Sequence, residues 1–122
     1  MLNGKIVMNR IKTIIIDDEW LIRTELKDML LQYPNINVIG EAANVTDAIR
    51  LHNELKPDLV FLDIQLPGGS GFDFLERVNG SFKLVFITAF DQYLKEAKSY
   101  RAIDYLMKPI SKKKLSKVIQ KL

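Results

Sequence analysis

Residues 59–63, Leu59-Val60-Phe61-Leu62-Asp63, form a short apolar run that ends on a carboxylate. Three further runs each end on an acid, a hydroxyl or an ammonium group. They are Ile14-Ile15-Ile16 before Asp17-Asp18, Leu84-Val85-Phe86-Ile87 before Thr88, and Tyr105-Leu106-Met107 before Lys108-Pro109. Continuous apolar runs of this length suit strands buried on both faces of a parallel sheet. Their polar ends would then meet at one sheet edge, where such sheets bind ligands. These groups suit a divalent cation and a phosphoryl group.

The segments between the runs predict helices that alternate with the strands. The expected strands are residues 11–17, 36–42, 59–63, 83–88 and 103–107, and the expected helices are residues 19–32, 45–55, 72–79, 91–100 and 111–122. Asn44 is the expected N-cap of the second helix. The inner face of that helix would carry Val45, Ala48, Ile49 and Leu55. Five strands alternating with five helices predict an α/β fold, with right-handed crossovers and helices on both faces of the sheet.

The length and composition predict one domain of an ordinary globular protein. The chain has 122 residues, of which 48% are hydrophobic and 27% are charged, as in folded domains of this size. Cysteine is absent, which excludes disulfides and thiolate metal sites. Residues 1–10 are interpreted as an N-terminal leader without the apolar core of a secretory signal, and residues 11–122 as the domain. We therefore expect a cytoplasmic protein with no membrane partner.

The positive charge is concentrated near the end of the sequence. The net charge is +3, and five lysines fall within the last eleven residues: Lys112, Lys113, Lys114, Lys117 and Lys121. Such a run is typical of the solvated face of a helix. A nucleic-acid surface would also need groups that contact bases, and no recognition motif accompanies these lysines.

The acidic residues at the strand ends are the first candidates for chemistry. The carboxylates of Asp17 and Asp18 would repel each other unless a positive group lies nearby, and Mg²⁺ binds oxygen ligands of this kind. The alternative is that this pair caps the following helix. Asp63 could act as a nucleophile toward phosphorus. Its alternative role is to cap the loop that follows.

Two further strand ends could complete a phosphoryl site. Lys108 precedes Pro109, which favours an extended backbone at the lysine, so the ammonium could reach a phosphate oxygen or a carboxylate. The hydroxyl of Thr88 could donate to the same phosphoryl group. A lone Lys-Pro pair or a lone threonine at a strand end is usually structural, and it is the joint occurrence of these residues that supports the chemical role.

Four motifs together resemble the receiver domain of two-component response regulators. They are Ile16-Asp17-Asp18-Glu19, Leu62-Asp63-Ile64-Gln65-Leu66-Pro67 with Gly71 following, Phe86-Ile87-Thr88-Ala89, and Tyr105-Leu106-Met107-Lys108-Pro109. The resemblance covers residues 11–122, and residues 86–110 look most like receivers of LytTR-type regulators. It implies a flavodoxin-like, doubly wound, five-stranded parallel sheet in the order 2-1-3-4-5 with five helices.

The resemblance also implies a role for each matching residue. Asp63 would accept a phosphoryl group from a sensor histidine kinase. Asp17, Asp18, Asp63 and the backbone carbonyl of Gln65 would hold Mg²⁺, while Lys108 and Thr88 would bind the phosphoryl oxygens. Tyr105 would act with Thr88 as the switch pair, and the alternative for Tyr105 is a structural tyrosine at the edge of the core.

The same resemblance predicts a signalling domain rather than an enzyme. Its only catalysis would be self-phosphorylation and slow autodephosphorylation. Phe90 and Gln65 occupy positions that resemble those influencing the access of hydrolytic water, and the bulky apolar Phe90 would slow the dephosphorylation by impeding that water. A homodimer would form through the fourth helix, fifth strand and fifth helix. DNA would be contacted only through a LytTR-type effector domain that is absent from this sequence, and in this way the protein would control transcription.

Three other functions are compatible with parts of the pattern. A haloacid-dehalogenase-like phosphatase also uses an aspartate nucleophile at a strand end with Mg²⁺, but it normally needs a second acid where this chain has Gln65. A flavin-binding module shares the topology, although the acidic first loop would repel its phosphate. The third is a receiver-like interaction module that works without phosphorylation.

Overall fold

The computed structural model describes residues 10–122, so the interpretation of residues 1–10 as a leader falls almost entirely outside the described residues. These described residues form seven strands: β1 (Ile11–Ile16), β2 (Ile36–Ala42), β3 (Leu59–Asp63), β4 (Gln65–Leu66), β5 (Gly69–Ser70), β6 (Lys83–Thr88) and β7 (Asp104–Met107). Five of them form a parallel sheet in the order β2-β1-β3-β6-β7. Counted along the sheet strands alone, this is the predicted order 2-1-3-4-5.

Five helices alternate with the strands of the parallel sheet among the described residues, as predicted. They are α1 (Trp20–Leu30), α2 (Val45–Leu55), α3 (Gly71–Arg77), α4 (Leu94–Lys98) and α5 (Lys112–Gln120). Asn44 caps α2 by accepting from the backbone N–H of Asp47 at 2.8 Å. The predicted helix over 91–100 is shorter than expected, because its first turn is a 3₁₀ helix (Asp91–Tyr93).

The sheet separates two apolar clusters, and each cluster is covered by its own helices. On one face, side chains of α1 and α5 such as Leu26 and Leu115 pack against Ile15, Phe61 and Val85. On the other face, α2, α3 and α4 pack on a cluster that contains Ile14, Ala48, Val60, Phe74, Phe86 and Ala97. The strands are apolar on both sides because both sides are covered.

The segment between β3 and α3 contains the small antiparallel hairpin of β4 and β5. Ser70 and Asp73 then form a capping box at the start of α3, in which each side chain satisfies a backbone N–H of the other residue. The hairpin and the capping box together place the start of α3 close to Asp63 at the end of β3. Among residues 10–122, no helix is both long and apolar enough to cross a membrane.

Candidate functional site

The ends of β1 and β3 bring the candidate acids together. In the parallel register Ile16 pairs with Leu62, so the residues that follow them, Asp17 and Asp63, emerge at the same level of the sheet edge. Asp17 and Asp63 are buried and Asp18 is exposed. One carboxylate oxygen from each of the three lies within 4.8 Å of the others, as the sequence predicted.

Lys108 joins this cluster from the end of β7. Its Nζ donates a hydrogen bond to Asp63 Oδ2 at 3.1 Å and lies 2.8 Å from Asp17 Oδ2 and 3.5 Å from Glu19 Oε1. The side chain is only 10% exposed. The backbone N–H of Lys108 donates to Thr88 O at 2.8 Å, which ties the lysine to the end of β6. A single ammonium is therefore held between two buried carboxylates.

Burial controls the ionisation of these groups. Burial and the neighbouring Asp17 charge raise the pKa of Asp63 to about 6, against the opposing effect of Lys108. Burial also raises the pKa of Asp17, more than Lys108 and the Glu19 amide lower it. Although burial alone would lower the pKa of Lys108, its contacts with Asp17 and Asp63 raise it. The lysine therefore stays protonated, and its single positive charge does not fully compensate the burial of the Asp17 and Asp63 carboxylates.

The acidic cluster fits a small divalent cation. Asp17 Oδ2 is buried and has no hydrogen bond of acceptable geometry among the described residues, although Lys108 Nζ is near it. Oxygen ligands at this spacing, with one exposed carboxylate open to solvent, suit Mg²⁺, which usually keeps some of its water. The main chain of Gln65 lies beside the site, since its N–H donates to Asp63 Oδ1 at 3.3 Å. An exposed acidic cluster is common without an ion, but here two buried carboxylates share a single ammonium, and a buried charge that is only partly compensated is costly.

The helix-capping alternative for Asp17 and Asp18 does not describe their position. The N-cap residue of α1 is Glu19, which makes no capping hydrogen bond through its side chain. Asp17 instead accepts the Glu19 N–H on Oδ1 at 2.8 Å, which fixes its carboxylate beside Lys108. The lysines predicted on the solvated face of the last helix are exposed at positions 112, 113, 114, 117 and 121.

Thr88 lies at the same sheet edge, but its hydroxyl group is engaged elsewhere. Thr88 is buried at the end of β6. Its Oγ1 accepts the Phe90 N–H at 3.1 Å and donates to the Phe90 carbonyl at 3.3 Å. Tyr105, on β7, is half-buried against the cluster covered by α2, α3 and α4. Burial, with smaller effects of Asp104 and Asp91, raises the pKa of its hydroxyl.

Two residues beside the acidic cluster were not identified as site residues by the sequence reasoning. Arg23, on α1, donates from Nη1 to the carbonyl oxygen of Asp17 at 2.7 Å and from Nε to Glu41 Oε1 at 2.8 Å. Gly71 was noted only as part of a motif. A Cβ at that position would lie 2.4 Å from the Asp63 carbonyl oxygen, so the close approach of α3 to β3 requires glycine. No short motif predicts the Arg23 contacts, because they join three separate elements.

Comparison with known proteins assigns the chain to a family. Residues 13–120 match the model of the response regulator receiver domain. The chain is 41% identical over 114 residues to an uncharacterised response regulatory protein of Vibrio cholerae, covering 92% of this chain and 48% of that protein. It is 42% identical over 111 residues to the sensory transduction protein LytT of Enterococcus faecalis, covering 88% and 46%.

A solved structure supports the same assignment. The response regulatory domain of protein mrkE from Klebsiella pneumoniae superposes with a TM-score of 0.83 at 29% identity, covering 91% of this chain and 93% of that one. The chain spans about half the length of the relatives named above. The family is one of signalling domains rather than of enzymes, which counts against the phosphatase alternative. This chain therefore belongs to the receiver domains of two-component response regulators.

Proposed function

We propose that this receiver is a phosphorylation-dependent switch in which Asp63 accepts a phosphoryl group from a sensor histidine kinase. Receiver domains interact with histidine kinases and often form dimers. The observation that carries the proposal is the contact of Lys108 Nζ with the buried carboxylates of Asp17 and Asp63 at 2.8 and 3.1 Å. The proposed nucleophile Asp63, the proposed cation ligand Asp17 and the positive charge of Lys108 are therefore in direct contact.

In the transfer, an oxygen of the Asp63 carboxylate forms a bond to phosphorus. The bond between phosphorus and the nitrogen of the donor phosphohistidine breaks, and the imidazole of the kinase leaves. Asp63 must be ionised to attack, and with its pKa raised to about 6 it is mostly ionised at neutral pH. Lys108 neutralises charge on the phosphoryl oxygens during the transfer, where a preorganised cation contributes most.

The cation would be held by Asp17, Asp18, Asp63 and the backbone carbonyl of Gln65. When bound, Mg²⁺ supplies positive charge that offsets the repulsion between a phosphoryl group and three carboxylates. The shortage of positive charge in this cluster, where one ammonium serves the buried carboxylates of both Asp17 and Asp63, supports this assignment. Thr88 supplies a hydroxyl donor once it releases the Phe90 carbonyl that it now contacts.

The switch would link the phosphoryl group to a surface. Movement of Thr88 toward the phosphoryl oxygens frees space at the end of β6, and Tyr105, on the neighbouring strand and in register with Phe86, repacks into it. This shift in population would change the face formed by α4, β7 and α5, where we expect a homodimer or another partner.

We infer that the output lies in the part of the protein outside this chain. The similarity to LytT, of which this chain covers less than half, supports a LytTR-type DNA-binding domain that controls transcription. The receiver itself would not contact DNA. The cytoplasm is the compartment in which such a regulator would meet both a kinase and DNA.

Intact mass spectrometry after incubation with acetyl phosphate and Mg²⁺ tests the phospho-acceptor. The wild type should gain the mass of one phosphoryl group, and Asp63→Ala should gain none. Asp28→Ala, which removes an exposed acid on α1, is the matched control and should be labelled like the wild type. Labelling that persists in Asp63→Ala would refute the assignment. A wild type that neither binds Mg²⁺ nor is labelled would favour the phosphorylation-independent interaction module.

A further inference from the structure

Arg23 connects three elements around the acidic cluster. It projects from α1, binds Glu41 near the end of β2 through Nε at 2.8 Å, and donates from Nη1 to the carbonyl oxygen of Asp17 at 2.7 Å. Its side chain is 17% exposed. Hydrogen bonds from a charged donor in a partly buried position are stronger than neutral ones. The arginine therefore restrains the backbone of the loop that follows β1.

The contacts of Asp17 show what this restraint achieves. The Asp17 N–H donates to the Ala42 carbonyl at 3.0 Å, and the carboxylate accepts the Glu19 N–H. Arg23 holds the remaining polar group of the residue, its carbonyl oxygen. With all three groups of Asp17 held, the peptide unit between Asp17 and Asp18 has a fixed orientation. That orientation determines where both carboxylates project.

The positive charge of Arg23 is directed at Glu41 rather than at the acidic cluster. Burial would raise the pKa of Glu41, but hydrogen bonds from Lys27 and Arg23 outweigh it and hold that pKa below its usual value. Two cations thus share one carboxylate. The effect of Arg23 on a cation bound nearby would be geometric, because long-range repulsion from its charge is offset by Glu41.

We propose that Arg23 is a positioning residue for divalent-cation binding, acting through the Asp17 carbonyl oxygen on the Asp17 and Asp18 carboxylates. This inference rests on the proposed function of the site. It makes a prediction whose sign distinguishes it from simple electrostatics. Removing a positive charge near a cation site should strengthen Mg²⁺ binding, whereas removing a positioning contact should weaken it.

The test is a titration with Mg²⁺ alone, in which binding is monitored by calorimetry and by tryptophan fluorescence. Trp20 is the only tryptophan of the chain and lies two residues after Asp18. We expect Arg23→Ala to raise the Kd by about tenfold, as for other groups that orient metal ligands. Arg23→Lys keeps the charge but loses the planar fork that serves both acceptors, so its Kd should fall between those of the wild type and Arg23→Ala.

Arg50→Ala is the matched control. Arg50 lines the same depression as Arg23 and Glu41, but its side chain is 66% exposed and pairs with Asp47. This variant loses the same charge without touching Asp17, and its Kd should equal that of the wild type. Titrations are made well below each melting temperature, so that a loss of stability alone does not change the Kd.

The possible outcomes separate this inference from the proposed function. If the wild type binds Mg²⁺ and Arg23→Ala binds it equally or more tightly, the positioning role is wrong and the proposed function stands. If Arg23→Ala does not fold, an unchanged Kd in Arg23→Lys has the same meaning. A wild type that fails to bind Mg²⁺ overturns both this inference and the cation site.

Discussion

Two clusters of charged side chains meet at Asp17, and their charges are balanced in opposite ways. At the sheet edge, one ammonium, Lys108, lies within 4 Å of three carboxylates, those of Asp17, Glu19 and Asp63. On the other side of the loop, two cations, Arg23 and Lys27, share the single carboxylate of Glu41. The cluster at the sheet edge has an excess of negative charge, and the cluster around Glu41 has an excess of positive charge.

The pKa shifts show the energetic consequence of this difference. Burial raises the pKa of Asp63 to about 6 because Lys108 compensates it only partly. For Glu41, the two cations outweigh burial and lower the pKa. Ionised Asp63 therefore destabilises the fold and ionised Glu41 stabilises it. Destabilising charges such as that of Asp63 are typical of a functional site. The stabilising pairs around Glu41 can hold that site in place.

Loss of Lys108 should produce the largest effect. Lys108→Met leaves two buried carboxylates without their cation, and breaking a buried pair in this way costs about 3 kcal/mol. Urea unfolding at pH 7.5 in the presence of a chelator measures this free energy. Lys121→Met is the control. It breaks an exposed ion pair with Asp104, and such pairs contribute only about 0.5 kcal/mol. Equal losses in the two variants would contradict the comparison.

Neutralising Asp63 should have the opposite sign. Asp63→Asn should raise the free energy of unfolding at pH 7.5 by about 2 kcal/mol, because it removes a carboxylate whose ionised form is destabilised. The folded-state pKa is about 6 and the ordinary pKa of an aspartate is 3.8, so folded wild type takes up the proton first as the pH falls. The stabilisation should therefore decrease as the pH falls through 6 and be lost by about pH 4.

The measurement is urea unfolding in chelator at several pH values between 4 and 7.5. Asp28→Asn, at an exposed position on α1, controls for loss of one negative charge. A stabilisation by Asp63→Asn that does not depend on pH would show that the buried carboxylate is not its source.

Neutralising Glu41 should destabilise the protein by a smaller amount. Glu41→Gln leaves Arg23 and Lys27 without their shared acceptor, at a cost of about 1 kcal/mol for a partly exposed site. The pKa of Glu41 is lowered, so its contribution to stability is fully present above 4.5, the ordinary pKa of a glutamate, and is lost as the pH falls through the folded-state pKa. Unfolding curves of the variant and the wild type should converge in acid.

Glu54→Gln provides the control for Glu41, because Glu54 is exposed and lines the same depression. We expect no measurable change from it. A stabilising effect of Glu41→Gln would mean that the two clusters do not differ as described.

The sequence predicted the sheet and the acidic cluster for a specific physical reason. Four of the five sheet strands contain an apolar run that ends at a polar residue, so the ends of these strands could be located within about one residue. Parallel pairing then required Asp17 and Asp63 to emerge together, as the register of Ile16 with Leu62 confirms. These features are local, or follow directly from the parallel arrangement.

Contacts between separate elements could not be predicted in the same way. Arg23 is an ordinary helix residue in the sequence, and its acceptors become visible only when β2 and the loop after β1 are in place. His52 is a second example. It lies four residues after Ala48 on the inner face of α2, although it was not among the residues predicted for that face. It is buried and contacts Phe74 and Phe82 edge-on, with ring centroids 5.8 and 4.9 Å away.

The smallest expected effect is that of Phe90→Ala, which tests the access of water to the sheet edge without changing any charge there. Phe90 is 43% exposed, and its backbone, not its ring, makes the hydrogen bonds to Thr88. Phe90→Ala should therefore leave the charged cluster and its Mg²⁺ affinity unchanged. It should shorten the half-life of the phosphoaspartate about threefold, which is less than 1 kcal/mol in the barrier to hydrolysis.

The decay of the acetyl-phosphate-labelled protein, followed by intact mass, measures this half-life. Phe90→Leu keeps an apolar side chain over the same position and should decay at nearly the wild-type rate. A half-life that is the same in all three proteins would show that the ring does not shield Asp63 from water. The lifetime would then depend on the balance of charge around Lys108, and Glu19→Gln, which removes the most distant of its three carboxylates at 3.5 Å, would be the variant that changes it.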